Sequence, residues 1–297
     1  MDILPQKIRA PFPYFGGKSK VANVVWQKFG NISNYVEPFA GSLAVLLYSP
    51  KISKIETIND NDCLLINFWR AVTFDVENVI KFADHPVHEA ELHARHRWIL
   101  TQVTDEFIKN MHSDPHFFNS QLAGYWVWGM GASVGDNWLK PKGLNAAPLL
   151  SSGGGGIHGM KANIDAWMHQ LQNRLRKVRM ICGDWKRLTS PAILWNNIGL
   201  GKDDITGIFL DPPYSFLGRD KVYREEHDVF GDVCKWAIES SKPDVRIAVC
   251  GYDGDYEFPD NWTKYNWQAN GGFANLGNSR GKANSKREVI WFNEYCL

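Results

Sequence analysis

Hydrophobic and polar positions change texture twice along the chain. Residues 1 to about 66 read as loop, helix, strand, helix, strand, helix. NISNYVEPFAG predicts a short strand that ends in a Gly-containing turn. SLAVLLYS has the apolar density of a helix packed on a sheet, and ISKIETIND predicts a second strand running into an acidic turn. From about 67 to 160 the pattern is helical and then rich in Gly and Trp. VENVIKFADHP and HEAELHARHRWILTQV predict surface helices, whereas GYWVWGMGASVGDNWLKPKG and SSGGGGIHG predict loops, a hairpin, or both. The glycine run Gly153 to Gly156 has no side chains to pack, which predicts a mobile loop or one that orders on binding. Alternation resumes after 160. A basic helix, NIDAWMHQLQNRLRKV, leads to RMICGD, GIFLDPPY, the helix EEHDVFGDVCKWAIES, the strand VRIAVCG and a hairpin closing with REVIWFN. Strands alternating with helices predict a parallel sheet of the α/β class. The expected organisation is a catalytic α/β domain split between 1–66 and 161–297, interrupted by a mainly helical insert at 67–160.

Composition narrows the class without choosing a function. With 297 residues, 44% hydrophobic and a net charge of +1, the chain can bury a large core and is not a disordered protein. No apolar run approaches the roughly 18 residues that span a bilayer. The start, MDILPQKIRAPFPYFGGK, lacks a basic region followed by an apolar block, so no signal peptide is expected and the predicted location is cytoplasmic. The five cysteines are odd in number, scattered and without a C-x-x-C pair, so they are expected to be buried thiols and no metal site is expected.

The strongest chemical signal is GIFLDPPYSF, in which Asp211, Pro212, Pro213 and Tyr214 directly follow an apolar strand. Ligands of a parallel sheet bind beyond the carboxyl ends of its strands, so this placement puts the tetrad at the reaction edge. An exocyclic amine on an aromatic base is a poor nucleophile because its lone pair is delocalised into the ring. Donating one N–H to the Asp211 carboxylate and the other to the Pro212 carbonyl pulls the nitrogen toward tetrahedral geometry. Pro213 stiffens the turn, and Tyr214 offers a ring face for a base. An ordinary strand-to-loop turn is the plainer alternative.

Further candidates lie at other strand ends. YVEPFAGSLA carries Glu37, Pro38, Phe39, Ala40 and Gly41, a small-residue turn that lets backbone approach a ligand. Its single glycine is not a G-x-G-x-x-G fingerprint. Asp60 in TINDND can accept from ribose hydroxyls or merely cap a helix. Asp184 in MICGDW is placed to accept from an adenine amino group, with Trp185 beside it. In PFPYFGGKSK, Gly16 and Gly17 permit a tight backbone, Tyr14 and Phe15 can cover an apolar ligand, and Lys18 can reach a carboxylate. The earlier glycine of a Walker A loop is missing, which argues against ATP.

Other groups point less sharply. His85, His88, His93 and His96 stand among Arg95, Arg97, Glu89 and Glu91, the pattern of a solvated helix surface. Trp126, Trp128 and Trp138 suit core or loop packing, with contact to DNA bases as the alternative. Local charge says more than the total. Residues 161–187 hold seven Lys/Arg against two Asp, and 278–287 hold four bases and no acid, whereas 225–260 hold ten acids against three bases. Such basic stretches beside the reaction edge can track a phosphate backbone, which nominates Arg174, Arg176, Arg280, Lys282, Lys286 and Arg287; solvated faces are the alternative.

In the order FGGK, EPFAG, the Asp60 turn, Asp184 and DPPY, the chain resembles the Dam-like N6-adenine DNA methyltransferases. The resemblance covers the two flanking segments, roughly two-thirds of the chain, and leaves 67–160 unmatched. It implies a Rossmann-like S-adenosylmethionine-dependent methyltransferase fold, with the insert as a target-recognition domain. It implies that S-adenosyl-L-methionine contacts Tyr14, Phe15, Gly17, Lys18, Glu37 to Gly41, Asp60, Asp184, Trp185 and Asp211, leaving S-adenosyl-L-homocysteine as product. Asp211 to Tyr214 would hold an adenine flipped out of double-stranded DNA, with no metal involved. One departure is Leu43, where many members carry a second glycine. Attack on a cytosine ring carbon is set aside, because no Pro-Cys dipeptide supplies its nucleophile. A cytosine N4 acceptor and a DNA-binding relative without activity remain alternatives, and a homodimer is left open.

Overall fold

A computed structural model describes residues 8–14, 16–133, 138–139, 156–194, 201, 203–214, 229–268 and 287–297. Phe15, most of the glycine run, and Arg280, Lys282 and Lys286 lie outside the described residues. In chain order the elements are α1 (Ala22–Phe29), β1 (Asn34–Glu37), α2 (Ala44–Leu47), β2 (Ile55–Asp60), α3 (Cys63–Phe74) and α4 (Val76–Ala83). Then come α5 (Glu89–Gln102), α6 (Asp105–Ser113), α7 (Ser120–Ala132), α8 (Ile164–Leu175), β3 (Arg179–Cys182) and α9 (Pro191–Leu194). The chain closes with β4 (Thr206–Leu210), α10 (Phe230–Glu239), β5 (Val245–Tyr252), β6 (Thr263–Asn266) and β7 (Glu288–Phe292).

One mixed sheet has the strand order β3-β2-β1-β4-β5-β7-β6. The first five strands of that order are parallel, and β7 pairs antiparallel with both β5 and β6. The fold is α/β, consistent with a Rossmann-like methyltransferase. Side chains of the inner strands alternate strictly between the two faces, as a sheet covered on both sides requires. Tyr35, Phe209, Ala248, Cys250, Ile290 and Phe292 enter the core shared with α1, α3 and α7. Val36, Ile208, Leu210, Ile247, Val249, Val289 and Trp291 enter the core covered by α10. Strand order reverses between β1 and β4, which opens a crevice at their carboxyl ends.

The helical region departs from several expectations. The stretch GYWVWGMGA is not a loop or hairpin but most of α7, whose start is capped by the Asn119 side chain accepting from Leu122 N. Its glycines are contact points. A Cβ on Gly124 would stand 2.5 Å from Phe82 Cβ, and one on Gly129 would overlap the Trp138 ring at 1.9 Å. Trp126, Trp128 and Trp138 are all buried, so the DNA-contact alternative does not fit them. Nor is α5 a wholly solvated helix. Arg95 is buried between the rings of Tyr125 and Trp128, 4.2 and 4.3 Å from their centroids, and Glu91 accepts from it at 2.6 Å. His96 is buried against Trp138. These helices share one continuous core with the sheet, and the expected boundary at residue 66 falls inside the unbroken helix α3.

Two candidate phosphate contacts are also displaced. Arg174 is buried in a two-pronged pair with Glu56, at 2.6 and 2.9 Å, and donates to Leu46 O at 3.0 Å. It has no surface to offer a phosphate. Arg176 is exposed but precedes β3, at the amino edge of the parallel strands and away from the crevice. Removing one partner of a buried, hydrogen-bonded pair strands the other charge in low dielectric. Glu56→Ala is expected to lower the unfolding free energy by about 3–5 kcal/mol in urea denaturation. Glu239→Ala, which breaks the exposed pair with Lys235, is expected to change it by about 0.5 kcal/mol or less.

Candidate active site

Three strand-end turns meet at the crevice, and two residues of β2 bind them together. Asn59, buried at 1% exposure, donates to Pro38 O at 3.0 Å and to Gly183 O at 2.9 Å. Its own carbonyl accepts from Ala40 N at 2.8 Å. Asp60 accepts from Gly41 N and from Asp62 N, both at 3.0 Å, while Gly183 N donates to Asp60 O at 3.0 Å. The turn Glu37–Gly41 is thereby fixed between the β2 and β3 turns. Asn59 was not among the sequence candidates. The asparagine before a strand-end aspartate was the available signal.

The turn after β1 is tight. Gly41 has φ +45°, and a Cβ there would stand 2.7 Å from the Tyr14 ring, so Tyr14 lies directly against the turn. Gly41 O accepts from Trp69 Nε1 at 3.1 Å. Two residues on, Leu43 has φ 55° and is fully buried, and it is the one non-glycine residue with positive φ among the described residues. The position where many members of the resembled family carry glycine is left-handed, which costs an L side chain roughly 1–2 kcal/mol. Asp184 is exposed and caps a short 3-10 turn at Lys186 N, 2.8 Å away. Beside it the Phe39 and Trp185 rings lie 6.1 Å apart at 30°.

The DPPY tetrad follows β4 on the other side of the crevice. Asp211 forms an ion pair with Lys18 at 2.9 Å, and Lys18 also donates to Gly16 O at 2.7 Å. Lys18, expected to reach a carboxylate, is only 4% exposed and reaches that of Asp211. Its ammonium also lies 5.3 Å from the Tyr214 ring centroid and 5.7 Å from that of Trp267. The Tyr214 hydroxyl donates to Glu288 Oε2 at 2.8 Å, and its ring meets Tyr252 edge-on at 4.6 Å. Glu288 and Tyr252 were missed because nothing local in REVIWFN or VCGY marks them. They reach the site through the antiparallel register of β5 and β7, where Tyr252 pairs with Glu288. Arg287, next to Glu288, is at the same edge and pairs with Asp255 at 2.9 Å.

Burial governs the electrostatics. It pushes the Asp211, Glu37 and Glu288 carboxyls above the usual range; Lys18 opposes the shift at Asp211 and Glu288, and the Tyr35 hydroxyl opposes it at Glu37. Burial and the Asp211 charge raise the Tyr214 phenol well above its ordinary value, so it remains a hydrogen-bond donor. The arrangement presents a carboxylate held by a cation, a prolyl turn and an aromatic face, next to a tight small-residue turn flanked by rings. That set can bind a planar base bearing an amino group, and can bring an adenosine-like ligand beside it.

Asp60 gives a pH test of this geometry. Burial raises its pKa to about 6, against the backbone N–H groups that lower it. An unfolded aspartate titrates near about 4. Asp60 therefore favours the folded state while protonated; the contribution is full below about pH 4 and lost as pH rises through about 6. The stability of wild type relative to Asp60→Asn is expected to fall across that window when urea midpoints are compared pH by pH. An unchanged difference between the two ends would contradict it.

No described helix is long and apolar enough to cross a membrane. No curated protein matches the chain significantly. Residues 14–121 match the family model of D12 class N6 adenine-specific DNA methyltransferases. The match begins at Tyr14, takes in Lys18, the Glu37–Gly41 turn and Asp60, and continues through α3–α6 into α7; Asp184 and the DPPY tetrad lie beyond it. Over these residues the chain is similar to the D12 class N6 adenine-specific DNA methyltransferases.

Proposed function

We propose that the protein transfers the methyl group of S-adenosyl-L-methionine to N6 of an adenine flipped out of double-stranded DNA. The observation that carries this reading is the Lys18–Asp211 ion pair, which joins the FGGK segment to the DPPY tetrad across the crevice from the EPFAG turn. Burial alone would favour a neutral Asp211, and the ammonium at 2.9 Å favours the carboxylate, the form that accepts from an amino group. Asp211 takes one N6–H and the Pro212 carbonyl takes the other. The nitrogen lone pair is thereby directed away from the ring and toward the cofactor side. Tyr214, anchored by Glu288 and braced by Tyr252, supplies the stacking face.

The cofactor suits the residues on the other side. The amide-lined Gly41 turn under the Tyr14 ring, half-buried Asp60, exposed Asp184 and the Phe39–Trp185 pair form a cradle for a nucleoside. When bound, the cofactor supplies an electrophilic methyl on a sulfonium, so transfer needs no enzyme nucleophile and no metal; the protein's part is positioning and polar stabilisation. Burial pushes the Glu37 carboxyl up, and the Tyr35 hydroxyl donates to it at 2.9 Å. Sequence recognition is assigned to residues within 67–160, and phosphate contact to Arg287 and the basic residues before it. DNA as substrate argues for an intracellular address.

Asp211→Ala is expected to reduce methyl transfer by at least about 10²–10³-fold, the scale for loss of one preorganised polar group, while calorimetry still detects S-adenosylmethionine binding. Retained transfer would overturn the assignment. Mass spectrometry of nucleosides from treated duplex DNA is expected to show N6-methyladenine, and N4-methylcytosine would move the acceptor to cytosine.

A further inference from the structure

We propose that Cys63, Cys182 and His112 form a binding site for a soft, zinc-class divalent metal ion behind the cofactor-facing turns. The two sulfurs lie 3.4 Å apart, and Cys63 Sγ lies 3.5 Å from His112 Nε2. All three candidate ligand atoms fall within 4.8 Å of one another. A tetrahedral zinc with bonds of about 2.3 Å to sulfur and about 2.0–2.1 Å to nitrogen sets S···S near about 3.8 Å and S···N near about 3.6 Å. The two edges at Cys63 therefore need to open by only a few tenths of an ångström, and the edge between Cys182 and His112 is within 4.8 Å.

The surroundings suit such an ion. Cys63 is the first residue of α3, where the helix N-terminus favours a thiolate. Cys182 ends β3, and both cysteines are buried. His112 comes from α6 and is exposed, so an ion has a path in and a fourth position facing solvent. The Arg187 guanidinium donates to the carbonyls of Cys182 at 2.5 Å and His112 at 3.4 Å, so one group braces two ligands from outside. Arg70 lies within electrostatic range of both sulfurs. On binding, each thiol loses its proton to solvent as its metal–sulfur bond forms. No electron moves, and two thiolates neutralise the divalent charge beside the arginines. Thiolate with imidazole selects zinc-class metals over magnesium or calcium. The ion would tie the turn carrying Asp60 to the turn carrying Asp184, independently of which cofactor they hold.

The test uses the full reduced chain titrated with Co²⁺ and then Zn²⁺. One equivalent of Co²⁺ is expected to give thiolate-to-cobalt charge-transfer absorption with tetrahedral d–d bands, displaced by Zn²⁺. His112→Ala, at an exposed position, and Cys63→Ser are each expected to weaken binding by more than the roughly tenfold that loss of an outer-shell partner costs. His169→Ala, in the exposed group with Glu77 and Asp165, is expected to leave it unchanged. Absence of thiolate bands, equal affinity in both site variants, or a Cys63–Cys182 disulfide with no metal uptake after reduction would overturn the proposal.

Discussion

A carboxylate cannot be buried at a strand end unless something compensates its lost hydration, and the site is arranged around that constraint. Asp211 is met by Lys18, and the same ammonium lowers the cost of Glu288, which anchors Tyr214. The N-terminal segment therefore does more than cover the Gly41 turn. It brings the cation that favours the carboxylate form of the acid at the end of β4. Its place follows from Tyr14, which is pressed on Gly41, so the lid of one turn is the counter-charge of another.

The sheet explains why these groups converge. Strand order reverses between β1 and β4, and the turns that follow those two strands carry the EPFAG and DPPY residues. Asn59 and Asp60 then cross-link the β1, β2 and β3 turns through backbone groups, leaving Asp184 exposed and Phe39 partly exposed over the buried Trp185 ring. The surface proposed to hold the cofactor is consequently tied down beneath by backbone hydrogen bonds and open at Asp184 above.

Much of this was legible in sequence because it is local. Alternating apolar runs mark β1, β4 and β5, and acids or Pro-rich turns directly after them mark the edge at which ligands bind. What was not legible depends on partners distant in the chain. Arg174 looked solvent-facing in a basic helix, yet Glu56 from β2 takes it inside. Gly124 and Gly129 looked like loop punctuation, whereas they let α7 approach Phe82 and Trp138. Glu288 and Tyr252 are brought together only by strand register. The same applies to Cys63 and Cys182, which no spacing rule connects but which the pairing of β3 with β2 sets side by side.

Leu43 carries a consequence for substitution. Its left-handed backbone strain is worth roughly 1–2 kcal/mol, while emptying a fully buried leucine site costs more, about 2–5 kcal/mol. Replacing it by glycine would relieve the backbone and hollow the core in one step, and the second effect is the larger. The turn before α2 is thus held in its strained shape by the side chain that fills the space beneath it.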